Sequence, residues 1–77
     1  MKIEILGGGC PKCKMLEANV RKAIDELGAK AEIVKVTEIS KIIDYGVMST
    51  PAIVIDGEVK AYGRVPEVEE IKKWVRK

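Results

Sequence analysis

Cys10 and Cys13 are the only cysteines in the chain, and Pro11 and Lys12 alone separate them. At that spacing both sulfurs fall within the first turn of a helix, close enough to exist as two thiols or as one disulfide. A cystine of this span closes too short a loop to restrict much of the unfolded chain, so it is a poor structural staple. A C-x-x-C beside a strand-helix-strand pattern reads instead as redox chemistry. The glycines that precede it, Gly7-Gly8-Gly9, leave no side chains between the sulfurs and an approaching partner.

Other chemistries fit these residues less well. A dinucleotide-binding loop needs glycine where Lys12 stands, and a phosphate-binding loop needs a Gly-Lys-Ser/Thr ending that is absent. The chain has no histidine, which excludes a Cys-His nucleophilic dyad. Two thiolates do suit Cu(I), and a metal carrier is the alternative reading. Firm zinc binding needs four ligands, hence two chains. Copper-chaperone domains typically place Met two residues before the first cysteine, where Gly8 stands here, and they run β-α-β-β-α-β.

The chain of 77 residues is expected to form one domain, residues 1–77, near the lower end of what folds without a staple or metal. An apolar content of 47% beside 34% charged residues belongs to a compact domain, not a disordered one. Phenylalanine is absent, so Ile, Val, Leu and Met must fill the core. The 14 basic and 12 acidic residues are interspersed and leave a net charge of +2. No basic run is interleaved with aromatics, so nucleic acid is not an expected partner. Met1-Lys2-Ile3-Glu4-Ile5-Leu6 is a strand pattern with charges inside it, unlike the apolar core of a signal peptide. No stretch approaches bilayer length, and no membrane is expected. The expected compartment is the cytoplasm, where thiols are kept reduced.

The elements that must position the cysteines follow from periodicity and punctuation. Residues 2–6 alternate, with Ile3 and Ile5 on one face and Lys2 and Glu4 on the other. Pro11 suits a first helical position. Leu16, Val20, Ala23, Ile24 and Leu27 then form one apolar helical stripe that Gly28 ends. Residues 31–36 read as a second strand. Thr37 is expected to cap a short helix bearing Ile39, Ile42 and Ile43 and ending near Tyr45-Gly46. Ala52-Ile53-Val54-Ile55 is an apolar run of the kind buried on both faces. Asp56-Gly57 is a hairpin turn, with residues 58–62 as the returning strand. Pro66 is expected to open a last helix. Glu67, Glu69 and Glu70 lie near its start, and Lys72, Lys73, Arg76 and Lys77 near its end. Val68, Ile71 and Val75 should dock on the sheet with Trp74 at their border. The order is β-α-β-α-β-β-α, an α/β class.

With Cys10-Pro11-Lys12-Cys13 at the first strand-helix junction, Thr50-Pro51 directly before the third strand, and this element order, the whole chain resembles a minimal thioredoxin-fold protein. It is similar to the small thioredoxin/glutaredoxin-like redox proteins of archaea and bacteria. The resemblance implies a four-stranded mixed sheet flanked by three helices, with the first helix on one side and the others opposite. It implies a cis bond before Pro51, beside the disulfide, and a substrate groove to which Thr50, Pro51 and Gly63 belong. It also implies a protein disulfide oxidoreductase. Cys10 would be the nucleophile, its thiolate favoured by the helix start and by Lys12 and Lys14, and Cys13 the resolving thiol. Expected partners are substrate proteins with disulfides and a disulfide reductase or other thiol electron donor. No cofactor beyond the dithiol is implied, and the protein is expected to be a monomer.

Several residues depart from the family's habits. Gly9 stands where thioredoxins usually have Trp, Lys12 where glutaredoxins usually have an aromatic, and the glutaredoxin glycine pair is reduced to Gly63 followed by Arg64. Glu4, six residues before Cys10, occupies a spacing at which thioredoxins often place a buried acid. The alternation groups it with Lys2 on a solvated face instead. Tyr45, Tyr62 and Trp74 read as packing residues, and Met48 as a flexible apolar contact for a substrate.

Overall fold

A computed structural model of the protein describes residues 1–7, 9 and 11–76; Gly8, Cys10 and Lys77 lie outside the described residues. The chain runs β1 (Lys2–Leu6), α1 (Pro11–Leu27), β2 (Glu32–Val36), α2 (Ile39–Asp44), β3 (Ala52–Ile55), β4 (Glu58–Tyr62) and α3 (Val68–Val75). The strands form one four-stranded sheet in the order β2-β1-β3-β4. β1 pairs parallel with β2, Ile5 opposite Lys35, and antiparallel with β3, Ile5 opposite Ile53. β3 and β4 form an antiparallel hairpin with a register shift between Ile53 and Val54.

Strand alternation sorts the apolar side chains into two clusters. Ile3, Ile5, Ile53, Ile55 and Ala61 face Leu16, Val20 and Ala23 of α1 and Ile71 and Val75 of α3. On the other face Leu6, Val36, Ala52 and Val54 meet Ile42 of α2 and Val47. β3 is therefore buried on both faces, as its unbroken apolar run requires. α1 and α3 share a face, which corrects the expectation that α1 lies alone with the other helices opposite. The stripe of α3 contacts the Ile3/Ile5 side of β1, and α2 with Tyr45 and Val47 covers the reverse. Asn19 Nδ2 donates to the Pro66 carbonyl at 3.0 Å, and Lys72 pairs with Glu26 at 2.6 Å, fastening α3 to α1.

The ends of the elements explain two further differences from the sequence expectations. Gly28 N–H donates to Asp25 and Ala29 N–H to Ile24, closing α1 with a Schellman arrangement. α2, by contrast, has Glu38 at its N-cap without a side-chain cap bond, so Thr37 does not cap it. Only Ile42 of α2 is buried; Ile39 and Ile43 stand in solvent, because six residues over one sheet face turn a single isoleucine inward. α3 starts at Val68, two residues after Pro66, with Glu67 at the N-cap. Pro66 is instead fully buried ahead of the helix, where its carbonyl receives Asn19. Glu69 and Glu70 in the first turn and Lys72 and Lys73 in the last complement the dipole of α3.

At the hairpin, Asp56 and Gly57 both have positive φ, 50° and 84°, the combination a two-residue hairpin loop demands. Asp56 also accepts from the Lys2 N–H through its carboxylate at 2.8 Å, pinning the turn to the start of β1.

The buried pattern separates two classes of substitution. Leu16→Ala, at a fully buried position, should cost about 2–5 kcal/mol in urea unfolding. Ile39→Ala should stay within about 0.5 kcal/mol. Equal costs would mean that α2 is packed more deeply than its exposure indicates.

Candidate functional site

The site forms where the C-terminal end of β1 meets the first turn of α1. Cys13 is 5% exposed and shares a groove with Ile5, which lies on the face of the sheet that α1 covers. It is disulfide-bonded and not a free thiol. Gly7, just past β1, continues the pairing with β2 by donating its N–H to Val36 at 2.9 Å. A β-carbon at position 7 would overlap Cys13 Sγ, and the φ of +153° at Gly7 is itself one that side-chain-bearing residues rarely adopt. The same hypothetical carbon would stand 3.7 Å from Thr50 Cβ. Gly7, Cys13 and Thr50 thus converge on one point.

Thr50 precedes Pro51 through a cis peptide bond. Pro51 is fully buried, and its carbonyl accepts the Gly63 N–H at 2.9 Å. A β-carbon at Gly63 would press on Ser49 at 3.3 Å. Of the residues expected to form the site, Cys13, Thr50, Pro51 and Gly63 are brought together. Cys10 lies outside the described residues. Lys12 and Lys14 are exposed on the first turn of α1, which carries no acidic residue. Met48 is almost wholly exposed beside Thr50.

A groove of about 270 Å³ behind Cys13 is lined by Ile5, Gly7, Lys14, Glu17, Lys35 and Thr37 among others. Glu17 bonds Lys35 at 3.0 Å and Arg21 at 2.9 Å. The bond from Lys35, followed by that from Arg21, holds the Glu17 carboxyl below the usual carboxylate range. Sequence reasoning passed over Glu17 and Lys35. The offset of four from Cys13 to Glu17 was readable, but the pairing that sets Lys35 opposite Ile5 was not.

The residues match known proteins along nearly their whole length. The thioredoxin domain family matches residues 1–76. A thioredoxin of Methanothermobacter thermautotrophicus is 49% identical over 73 residues, 95% of each chain. A thioredoxin of Methanocaldococcus jannaschii is 48% identical over 74 residues, 96% of this chain and 85% of its own. The chain belongs to the thioredoxin family. It is a thiol–disulfide oxidoreductase like the relatives it matches, and the metal-carrier alternative finds no support: the described elements run β-α-β-α-β-β-α.

Glu4 departs from the solvated position that alternation suggested. It faces α2 and is half-buried, and the Tyr45 hydroxyl donates to its carboxylate. Val36, Lys41 and Asp44 line a separate groove with them. Gly7 has the parity of Ile3 and Ile5, so the Cys13 sulfur lies on the opposite side of β1 from Glu4. The hydrogen bond to Glu4, then burial and the carboxylate charge, raise the Tyr45 phenol above its ordinary value.

Two expectations follow from this geometry. Gly7→Ala should destabilise by about 1–3 kcal/mol through overlap with Cys13, while Gly9→Ala meets open space and carries only the strain of its φ of 80°; urea unfolding of both variants checks the difference. A phenol whose folded pKa is raised stabilises the fold below its unfolded value, and that contribution is lost as pH rises through the folded value. Tyr45→Phe should therefore flatten the alkaline part of the stability curve, measured as urea midpoints from about pH 8 to about pH 11. Parallel curves would show that the Glu4–Tyr45 bond does not couple to folding.

Proposed function

We propose that this oxidoreductase reduces disulfides of protein substrates, with Cys10 as attacking thiolate and Cys13 as resolving thiol. The observation that carries the reading is the buried Cys13 sulfur packed against the Gly7 backbone, with Thr50 close to the same point, in the first turn of a helix whose start bears Lys12 and Lys14 and no acid. An uncompensated helix N-terminus favours an anion at the position just before it, which is position 10.

The Cys10 thiolate attacks one sulfur of the substrate disulfide. A Cys10–substrate bond forms, and the other substrate sulfur leaves as a thiolate that takes a proton from solvent. Cys13 then loses its proton and attacks Cys10. The Cys10–Cys13 bond forms, the mixed disulfide breaks, and the substrate departs carrying two electrons. A low-pKa thiol attacks first and a buried one second, and the burial of Cys13 in the first turn of α1 supports its place as the second.

Thr50, Pro51 and Gly63 are the substrate-binding residues of this reading. The Gly63–Pro51 hydrogen bond holds their two segments together beside Cys13. A protein disulfide is favoured over glutathione because Arg64 is already engaged by both carboxylate oxygens of Glu70, at 3.0 and 2.8 Å. A disulfide reductase or other thiol donor regenerates the dithiol. The protein works as a single-domain monomer in the cytoplasm, where a reductant of this kind can be kept reduced.

Cys10→Ser should abolish disulfide reduction. Cys13→Ser should instead accumulate a mixed disulfide with substrate, visible as a mass adduct under non-reducing conditions. Equal activity in both variants would overturn the assigned roles.

A further inference from the structure

We infer that Glu17 and Lys35 act as a charge pair on the resolving step, Lys35 favouring the Cys13 thiolate and Glu17 restraining it. This rests on the reading of Cys13 as the resolving thiol, and it assigns two positioning residues to that reaction.

The pair reaches the sulfur from α1 and β2. Side chains four apart on a helix lie one above the other and lean toward its N-terminus, so Glu17 stands over the turn that holds Cys13. Lys35 is opposite Ile5 in the parallel pairing of β1 with β2, and Ile5 belongs to the face that α1 covers. Cys13, Glu17 and Lys35 accordingly line one groove of about 270 Å³. Lys35 Nζ meets Glu17 Oε1 at 3.0 Å, while Arg21 takes the other carboxylate oxygen, Oε2, at 2.9 Å.

Stability is a weak reason for this arrangement. Lys35 is 60% exposed and Arg21 58%, and ion pairs with one partner in solvent add little to folding. A lysine blunts the edge of the sheet at β2, but a side chain turned to water would do the same. The reaction gives a stronger reason. Cys13 is buried, and burial opposes the charged form of a thiol, which is the form that resolution requires. The proton leaves Cys13 for solvent in the groove, whose volume is several times the roughly 30 Å³ that a water takes. The thiolate attacks Cys10, the Cys10–Cys13 bond forms and the Cys10–substrate bond breaks. The substrate sulfur leaves with the electron pair and takes a proton from solvent. A cation at the groove lowers the cost of charge on Cys13, and an anion raises it.

Other charges do not obscure the pair. Among the described residues the remaining charged side chain of the groove is Lys14, exposed on the first turn of α1, as Lys12 is. β1 brings Ile5 and Gly7 to the lining, and the segment before Pro51 brings the uncharged Thr50 near the sulfur. Glu4 and Tyr45 pair with each other beyond the sheet. The bond from Lys35, then that from Arg21, holds the Glu17 carboxyl below the usual carboxylate range, so its charge is constant where a thiol titrates.

The test is the two-phase reaction of the reduced protein with dithiodipyridine, an uncharged disulfide. Attack by Cys10 releases one thiopyridone at a rate set by the reagent concentration, and attack by Cys13 releases the second at a rate that is not. Lys35→Met should slow the second phase about fivefold at neutral pH and move its alkaline rise to higher pH, the effect of one screened charge. Glu17→Gln, which keeps an oxygen for Lys35, should speed that phase by a similar factor. Lys35→Arg should restore most of the rate lost in Lys35→Met, and the Glu17→Gln/Lys35→Met double variant should return toward the unsubstituted protein. Changes of the same sign in the two single variants, as lost packing would give, would overturn the inference. So would a second phase unchanged in both, or an effect confined to the first phase. Release of only one thiopyridone by the unsubstituted protein would be the separate failure of the dithiol reading, and would remove the inference with it.

Discussion

The absence of a side chain at Gly7 is the constraint from which the site follows. Any β-carbon there would occupy the space of Cys13 Sγ, so the end of β1 and the first turn of α1 approach to a distance that only glycine permits. This contact buries the second sulfur, brings Thr50 beside it and leaves the N-terminal end of α1 facing outward. Because Gly7 continues the Ile3/Ile5 face of β1, the strand alternation that sorts the core also decides which side chains share a face with the dithiol.

That alternation divides the charged residues into two sets with different work. Glu17 and Lys35 lie on the Cys13 side and share its groove. Glu4 lies on the reverse side, taken up by Tyr45 of the α2 region. A carboxylate that sits at a suggestive distance along the sequence is thus separated from the sulfur by the sheet itself. α2 has a second consequence: a helix this short anchors through Ile42 alone and presents the rest of its apolar surface to solvent next to Thr50.

Much of this was legible in the residues. Apolar stripes and runs marked all seven elements, and Gly28 and Asp56-Gly57 punctuated them; Cys13 stood out by its type and spacing, Thr50 and Pro51 were expected beside it only through the resemblance, and Cys10 lies outside the described residues. What could not be read was the assignment of faces. The stripe Ile71/Val75 fits either side of a sheet, and only its packing with α1 against Ile3 and Ile5 decides between them. The starts of α2 and α3 were misjudged for a local reason: Thr37 and Pro66 are good helix openers by type, but one lines the Cys13 groove and the other gives its carbonyl to Asn19. Glu4 was misplaced because alternation alone does not say that α2 and Tyr45 will cover its side of β1.

The most direct test is equilibration of the protein with a dithiol redox buffer, with free thiols counted by alkylation and mass spectrometry and bound metal measured in the same samples. A single two-electron transition of Cys10 and Cys13 below about −200 mV, without metal, is the expected result for a disulfide reductant. Failure of the two cysteines to form an intramolecular disulfide, with tight binding of Cu(I) or zinc in its place, would contradict it.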